Sequence, residues 1–191
     1  MENKVVSAAE AVAMIRYGDT VAISGFVGTG TPEELLIALA ERFQATQTPG
    51  NLTLVFAAAP GDGRGAGADR LAQEGLVARA IGGHWALLPN LGRLATANKI
   101  EAYNLPLGCI AQLFRDIASG KPGMLSRIGL HTFVDPRHGG GRINERTSKH
   151  LVSIIEIDGE EWLLYRAFPI HVALIRGTTA DVNGNITMER E

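Results

Sequence analysis

Cysteine is almost missing from this sequence, with Cys109 alone in 191 residues. A single thiol excludes an intrachain disulfide and a cysteine-built zinc cage, which fits a reducing cytoplasm. A dominant charge is missing too, since 18 basic and 20 acidic residues leave a net charge of -2. The basic residues are scattered, so no segment offers the electrostatic footprint of a nucleic-acid binder. Long apolar runs are also absent. The start, MENKVVSAAEAV, lacks the basic region and apolar core of a secretion signal, and no uncharged stretch approaches the ~20 residues that span a bilayer. These absences predict a cytoplasmic protein with neither a nucleic-acid nor a membrane partner.

What is present is core-forming material and glycine. Hydrophobic residues make up 46% and charged residues 20%, the balance of a globular domain, and the 23 glycines gather at 25–30, 59–67, 82–83 and 139–141. Ser7 to Glu10 reads as a capping box opening a helix through about Tyr17, ended by Gly18. Thr20–Ser24 is a short β-branched strand, the loop Gly25–Gly30 follows, and Thr31-Pro32-Glu33-Glu34 reads as a second capping box for a helix to about Gln44. NLTLVFAAA at 51–59 has the continuous apolarity of a strand buried on both faces. Strand, helix, strand and helix are then expected at 76–81, 87–98, 100–104 and 106–118. An irregular stretch runs from Gly120 to Glu145. IIEIDGEEWLLY, turning about Asp158-Gly159, is a hairpin signal, HVALIR at 171–176 is a further buried-type strand, and the turn Asn183-Gly184-Asn185 leads toward one more. The alternation predicts an α/β fold with an open, mostly parallel sheet, flanking helices and a small β-hairpin. In such sheets ligands sit at the carboxyl ends of strands, where these glycine loops fall. The ending after a strand-turn pair suggests a single domain over 1–191 cut short at its C-terminal end.

The loop Gly25–Gly30 separates several chemistries. A P-loop needs Lys and Ser or Thr after its last glycine, and here Thr31-Pro32 follow Gly30. A dinucleotide fingerprint needs GxGxxG and an acidic residue closing the next strand; the order here is GxxGxG, and that strand closes in Ala57-Ala58-Ala59. Ser24 lacks the first glycine of a nucleophile elbow. What remains is a strand ending in glycine amides at a helix start, suited to an anion or a developing oxyanion, or else a tight connection in which glycine only permits the backbone angles.

The stretch Gly18-Asp19 through Gly25-Phe26-Val27-Gly28-Thr29-Gly30-Thr31-Pro32 resembles the first-subunit signature of the family I coenzyme A transferases. Further segments resemble its acetate/propionate branch: Ala72–Val77, Gly82-Gly83-His84-Trp85, Glu101–Pro106, Gly129–Arg137 and Gly140–Glu145. The resemblance implies transfer of coenzyme A between an acyl-CoA and a short-chain carboxylate, through a glutamyl-CoA thioester. The oxyanion and acyl-CoA loop would be Gly25, Phe26, Val27, Gly28 and Gly30. His84, Trp85, Leu107, Gly108 and Gln112 are pocket candidates. The nucleophilic Glu of the family lies in the second half, expected beyond Glu191. Glu33, Glu34, Glu74, Glu145, Glu156, Glu160 and Glu161 do not match its motif. The chain alone is therefore expected to be inactive, to need a C-terminal, β-type half and to assemble as a homo-oligomer. Where the family usually carries an oxyanion-binding glutamine, this sequence has Leu107, which cannot donate a hydrogen bond; losing such a donor costs ~10²–10³ in rate. Gln112 is a substitute candidate. Leu107 also keeps open a CoA-thioester hydrolase or C–C-cleaving relative, and a non-catalytic acyl-CoA-binding or assembly domain is the third reading.

Other residues have plainer readings. His131, Asp135 and His138 are ligand types, but with Pro136 and three glycines nearby they read as an ordered loop rather than a metal site. Cys109 reads as a buried small side chain. Arg64 and Arg70 read as solvated loop charges that a CoA phosphate could also meet.

Overall fold

The computed structural model describes residues 4–190. Its centre is a five-stranded parallel sheet of β1 (Thr20–Ile23), β2 (Leu52–Phe56), β3 (Val77–Gly82), β4 (Glu101–Asn104) and β8 (Val172–Leu174), in the order β4-β3-β2-β1-β8. The helices are α1 (Ala8–Ala13), α2 (Glu33–Thr46), α3 (Pro89–Thr96) and α4 (Leu107–Ala118). A second, antiparallel sheet of order β5-β7-β6 is formed by β5 (Gly123–Ser126), β6 (Val152–Ile157) and β7 (Glu160–Arg166). The small pair β9 (Thr179–Ala180) and β10 (Ile186–Thr187) closes the chain, as the Asn183-Gly184-Asn185 turn predicts. The expected open parallel sheet and its hairpin are both present. Among the described residues no helix is long and apolar enough to cross a membrane.

Two cores follow from strand alternation. Leu54, Phe56, Ala80 and Ala102 pack with α1, α2 and α3 on one face, while Val55, Ile81 and Tyr103 meet α4 and the inner face of the three-stranded sheet on the other. The second layer stops short of β1 and β8. There Ala22 and Ala173 floor an open groove of about 530 Å³, walled by Phe114 and Ile117 of α4.

Local chemistry explains the boundaries. The Ser7/Glu10 capping box is present, but α1 ends at Ala13 rather than Tyr17, because the amides of Met14 and Ile15 turn back to Ala11 and Val12 in tighter bonds. Arg42 of α2 then donates to the carbonyls of Val12 and Ile15, satisfying orphan groups of the helix end. No second capping box forms: Pro32 takes the N-cap position and the Thr31 hydroxyl donates to the Val27 carbonyl at 2.9 Å instead. The first turn of α3 is capped from 21 residues away. Buried Asp69 accepts from the amides of Asn90 (3.1 Å) and Leu91 (2.9 Å), inside a loop that also contains a 3-10 turn over Gly67–Leu71. The supposedly irregular 120–145 region contains β5. The Asp158-Gly159 hairpin forms as expected, both residues at positive φ.

Candidate functional site

Four parallel strands deliver their loops to one edge of the sheet, and hydrogen bonds lace these loops together. Val27 N–H donates to Ala59 O beyond β2 at 2.9 Å, Gly83 N–H to Phe56 O at 3.2 Å, and Leu105 N–H to Gly82 O at 3.1 Å. Glycine permits the closest approaches. A Cβ on Gly83 would lie 2.3 Å from Ala57 O and 2.8 Å from Leu107 Cα, so the loop after β3 touches the start of α4.

The Gly25–Gly30 loop is a clamped hairpin. Phe26 and Thr29 exchange backbone bonds at 2.9 and 3.0 Å around Val27-Gly28, and Val27 sits at φ 56°, an uncommon conformation for a β-branched residue. Four bonds hold it there: the amide bond to Ala59, the Thr31 hydroxyl on Val27 O, and two at the Ser24 hydroxyl, which donates to Gly30 O at 2.7 Å and accepts from Arg176 N–H at 3.3 Å. A Cβ on Gly25 would fall 2.3 Å from Thr31 Oγ1, so only glycine fits. The amides of Phe26, Val27 and Thr29 are thus spent inside the chain, whereas those of Gly25 and Gly28 donate to no group among the described residues. The positive end of α2 is not left for an anion either: Glu33 in its first turn accepts from Gly67 N–H at 2.8 Å and from Arg70 Nε at 2.6 Å.

The fold brings some of the predicted residues together. The rings of Phe26 and His84 lie 6.2 Å apart, joining the loops after β1 and β3. Phe26, Val27 and Leu107 are exposed large apolar residues on this edge. Trp85, equally a pocket or a core candidate by sequence, packs edge-on against Phe56 at 5.7 Å and donates from Nε1 to Tyr103 O at 3.2 Å. Leu107 opens α4, whose first turn has neither a side-chain cap nor an acidic residue. Gly108 is exposed beside it. Gln112, also exposed, stands five residues along the helix from Leu107, about 7.5 Å down its axis. Ser24, Thr31 and Ala59, which hold the loop, were missed as site-forming positions. Their partners are backbone atoms whose nearness the sequence does not display.

The remaining candidates are structural. Asp135, fully buried, accepts from His131 N–H, from Arg137 N–H, and from Arg137 Nε and Nη2 at 2.8–3.0 Å. The guanidinium hydrogen bond holds its carboxyl well below the usual range. Cys109 is buried among Ile81, Leu113 and Tyr165, and burial pushes its thiol pKa up, opposite to what an activated thiolate requires. Burial likewise raises the Tyr103 phenol to about 12, and its hydroxyl donates to Lys149 O at 2.8 Å. Arg70 pairs with Glu33.

A parallel α/β sheet with interlaced, partly apolar loops on its carboxyl edge is the arrangement in which folds of this class place their ligand sites. The chain belongs to the coenzyme A transferase family, whose model "Coenzyme A transferase" matches residues 5–191. It is 45% identical over 188 residues to the caffeate CoA-transferase of Acetobacterium woodii, covering 98% of this chain and 36% of that protein. The alpha subunit of the Escherichia coli acetate CoA-transferase is 28% identical over 189 residues, with 99% of this chain and 76% of that subunit covered. The crystal structure of the acyl-CoA transferase YdiF from E. coli O157:H7 as a thioester complex with CoA superposes with a TM-score of 0.94 at 43% identity, over 98% of this chain and 37% of that one. The chain thus spans little more than a third of the length of the caffeate CoA-transferase and YdiF chains it matches.

Proposed function

We propose that this chain forms the α-type part of an acyl-CoA:carboxylate CoA-transferase acting on short acyl groups such as acetate and propionate. Coenzyme A is a substrate here rather than a resident cofactor. The observation that carries the reading is the laced carboxyl edge, with its clamped Val27 and exposed Phe26, Val27 and Leu107, in a chain so similar throughout to CoA-transferases.

The chemistry divides between two parts. A glutamate outside residues 1–191 attacks the thioester carbonyl, CoA thiolate leaves, and the thiolate then attacks the glutamyl carbonyl to release the first carboxylate and leave glutamyl-CoA. An acceptor carboxylate reverses the sequence. This chain supplies the facing wall: Gly25–Gly30 contributes the amides of Gly25 and Gly28 toward the oxyanion, and the apolar side chains exclude water. Leu107 removes one side-chain donor, and the uncapped first-turn amides of α4 stand in its place. The groove over Ala22 and Ala173 receives the part that brings the glutamate. The assembled enzyme is a homo-oligomer in the cytoplasm.

The test is acyl exchange. The natural full-length protein, given acetyl-CoA and propionate, is expected to make propionyl-CoA, and residues 1–191 alone are expected to make none. Free CoA appearing at the same rate with and without propionate would instead mark a hydrolase. Robust exchange by the 191-residue piece would remove the external glutamate from the account.

A further inference from the structure

The three-stranded sheet has a second face that nothing in the described residues covers. Its inner face buries Val152, Leu163 and Tyr165 against α4. Alternation therefore turns Leu125 of β5, Ser153, Ile155 and Ile157 of β6, and Trp162 and Leu164 of β7 outward. Leu125 and Ile157 are exposed, and Ile155, Trp162 and Leu164 shield one another only in part. Ser153, the polar residue among them, keeps its hydroxyl buried with no hydrogen-bond partner among the described residues.

Charge flanks this patch in an ordered way. The outward residues of central strand β7 read Glu160, Trp162, Leu164, Arg166: an acid, two apolar residues, a base. Glu160 sits at the hairpin end with Glu156, Asp158 and Glu161, partly met by Arg127 and Arg137; Arg166 sits at the other end with Lys121, Lys149 and His150. The Arg166 guanidinium has no ion-pair partner among the described residues.

We infer that this face is where a second copy of the chain docks, sheet on sheet. A two-fold axis lying in the interface, across the strands at the level of Leu163, reverses β7 over its counterpart. Glu160 then faces the partner's Arg166, and Trp162 faces the partner's Leu164. Such self-complementarity is what an isologous contact demands. The six-residue separation of Glu160 and Arg166, about 20 Å, places one charge pair at each end of the apolar centre. An unrelated partner would not require the acid and the base to be spaced symmetrically about the patch. The inference names the surface for the homo-oligomer proposed above, and its readout is mass rather than chemistry, so it fails or stands separately from the transferase reading.

The test uses the natural full-length protein in sedimentation velocity between about 0.1 and 100 µM. The native protein is expected to assemble, and Arg166→Glu and Glu160→Arg each to raise the dissociation constant of one contact by about tenfold or more. The double variant, which restores opposite charges across the axis, is expected to recover native assembly. Trp162→Asp tests the apolar centre independently, with circular dichroism checking its fold. A native protein monomeric throughout that range, or charge reversals that leave the mass unchanged, would overturn the inference; so would a double variant no better than the singles.

Discussion

Two glycine-rich loops beside the parallel sheet use their polar groups in opposite ways. The loop at 129–147 turns them inward: Asp135 takes four donors, Asn144 Nδ2 donates to Ala95 O and Ile100 O, and the Thr147 hydroxyl meets Ala102 on the free edge of β4. Asn104 N–H to Gly141 O and Ile143 N–H to Ala102 O extend that cover, so the segment protects a sheet edge. The loop at 25–30 spends only enough bonds to hold Val27 in an unfavourable conformation, leaving Phe26 and Val27 exposed and the amides of Gly25 and Gly28 without an acceptor among the described residues. The loop at 129–147 carries ligand-type residues, two histidines and an aspartate, yet it is an ordered structural segment, as its sequence predicts. Unspent polar groups and exposed apolar surface are the features of a folded chain that call for an explanation.

The contrast yields predictions, from the largest effect to the smallest. Asp135→Asn replaces a buried carboxylate that takes four donors by an amide that cannot satisfy them all, although Arg137 keeps Glu161, and is expected to cost about 2–3 kcal/mol in urea denaturation, while leaving acyl exchange per folded enzyme unchanged. Because the folded pKa of Asp135 is depressed, its contribution is whole above the unfolded carboxylate range, near 3.9, and is lost as pH falls below it. The stability gap between native and variant proteins should therefore be constant from pH 7 to about 5 and narrow below about pH 4. Gly25→Ala puts a Cβ against Thr31 at positive φ and is expected to cost about 2–3 kcal/mol. Unlike the first variant it should also abolish most exchange. Thr31→Val removes the latch on Val27 O from a buried position, at about 1 kcal/mol. Val27→Gly should change stability by no more than about 0.5 kcal/mol, since relief of the positive φ offsets the added backbone freedom. Its exchange rate should nevertheless fall about tenfold, because the loop loses both its side chain and its fixed shape.

Much of this fold was legible because its signals are local. A β-branched run marks β1, continuous apolarity marks β2, a buried-type run marks β8, Ser7 and Glu10 meet within one helical turn, and Asp158-Gly159 makes its own hairpin. What stayed hidden depends on distance along the chain. β5 is four residues, GMLS, with no periodicity of its own, and exists because β7 pairs with it 40 residues later. Asp69 was one acid in a glycine loop until α3 arrived above it, and Arg42 was one more helical cation until α1 ended against it. Thr31 misled for the opposite reason: Thr-Pro-Glu-Glu satisfies a local pattern, but the strained carbonyl of Val27 competes for its hydroxyl and wins. At the site itself, the glycine positions were readable and the lacing between loops was not, since most of it runs through backbone atoms.

In the proposed chemistry this chain walls a site whose nucleophile lies elsewhere in the protein. Incubating the natural full-length protein with acetyl-CoA and mapping the covalent CoA adduct by mass spectrometry tests it most directly. The proposed chemistry predicts one adduct, on a glutamate outside residues 1–191, that disappears when a carboxylate acceptor is added. An adduct on any residue of this chain, or acceptor-dependent exchange with no adduct at all, would contradict it.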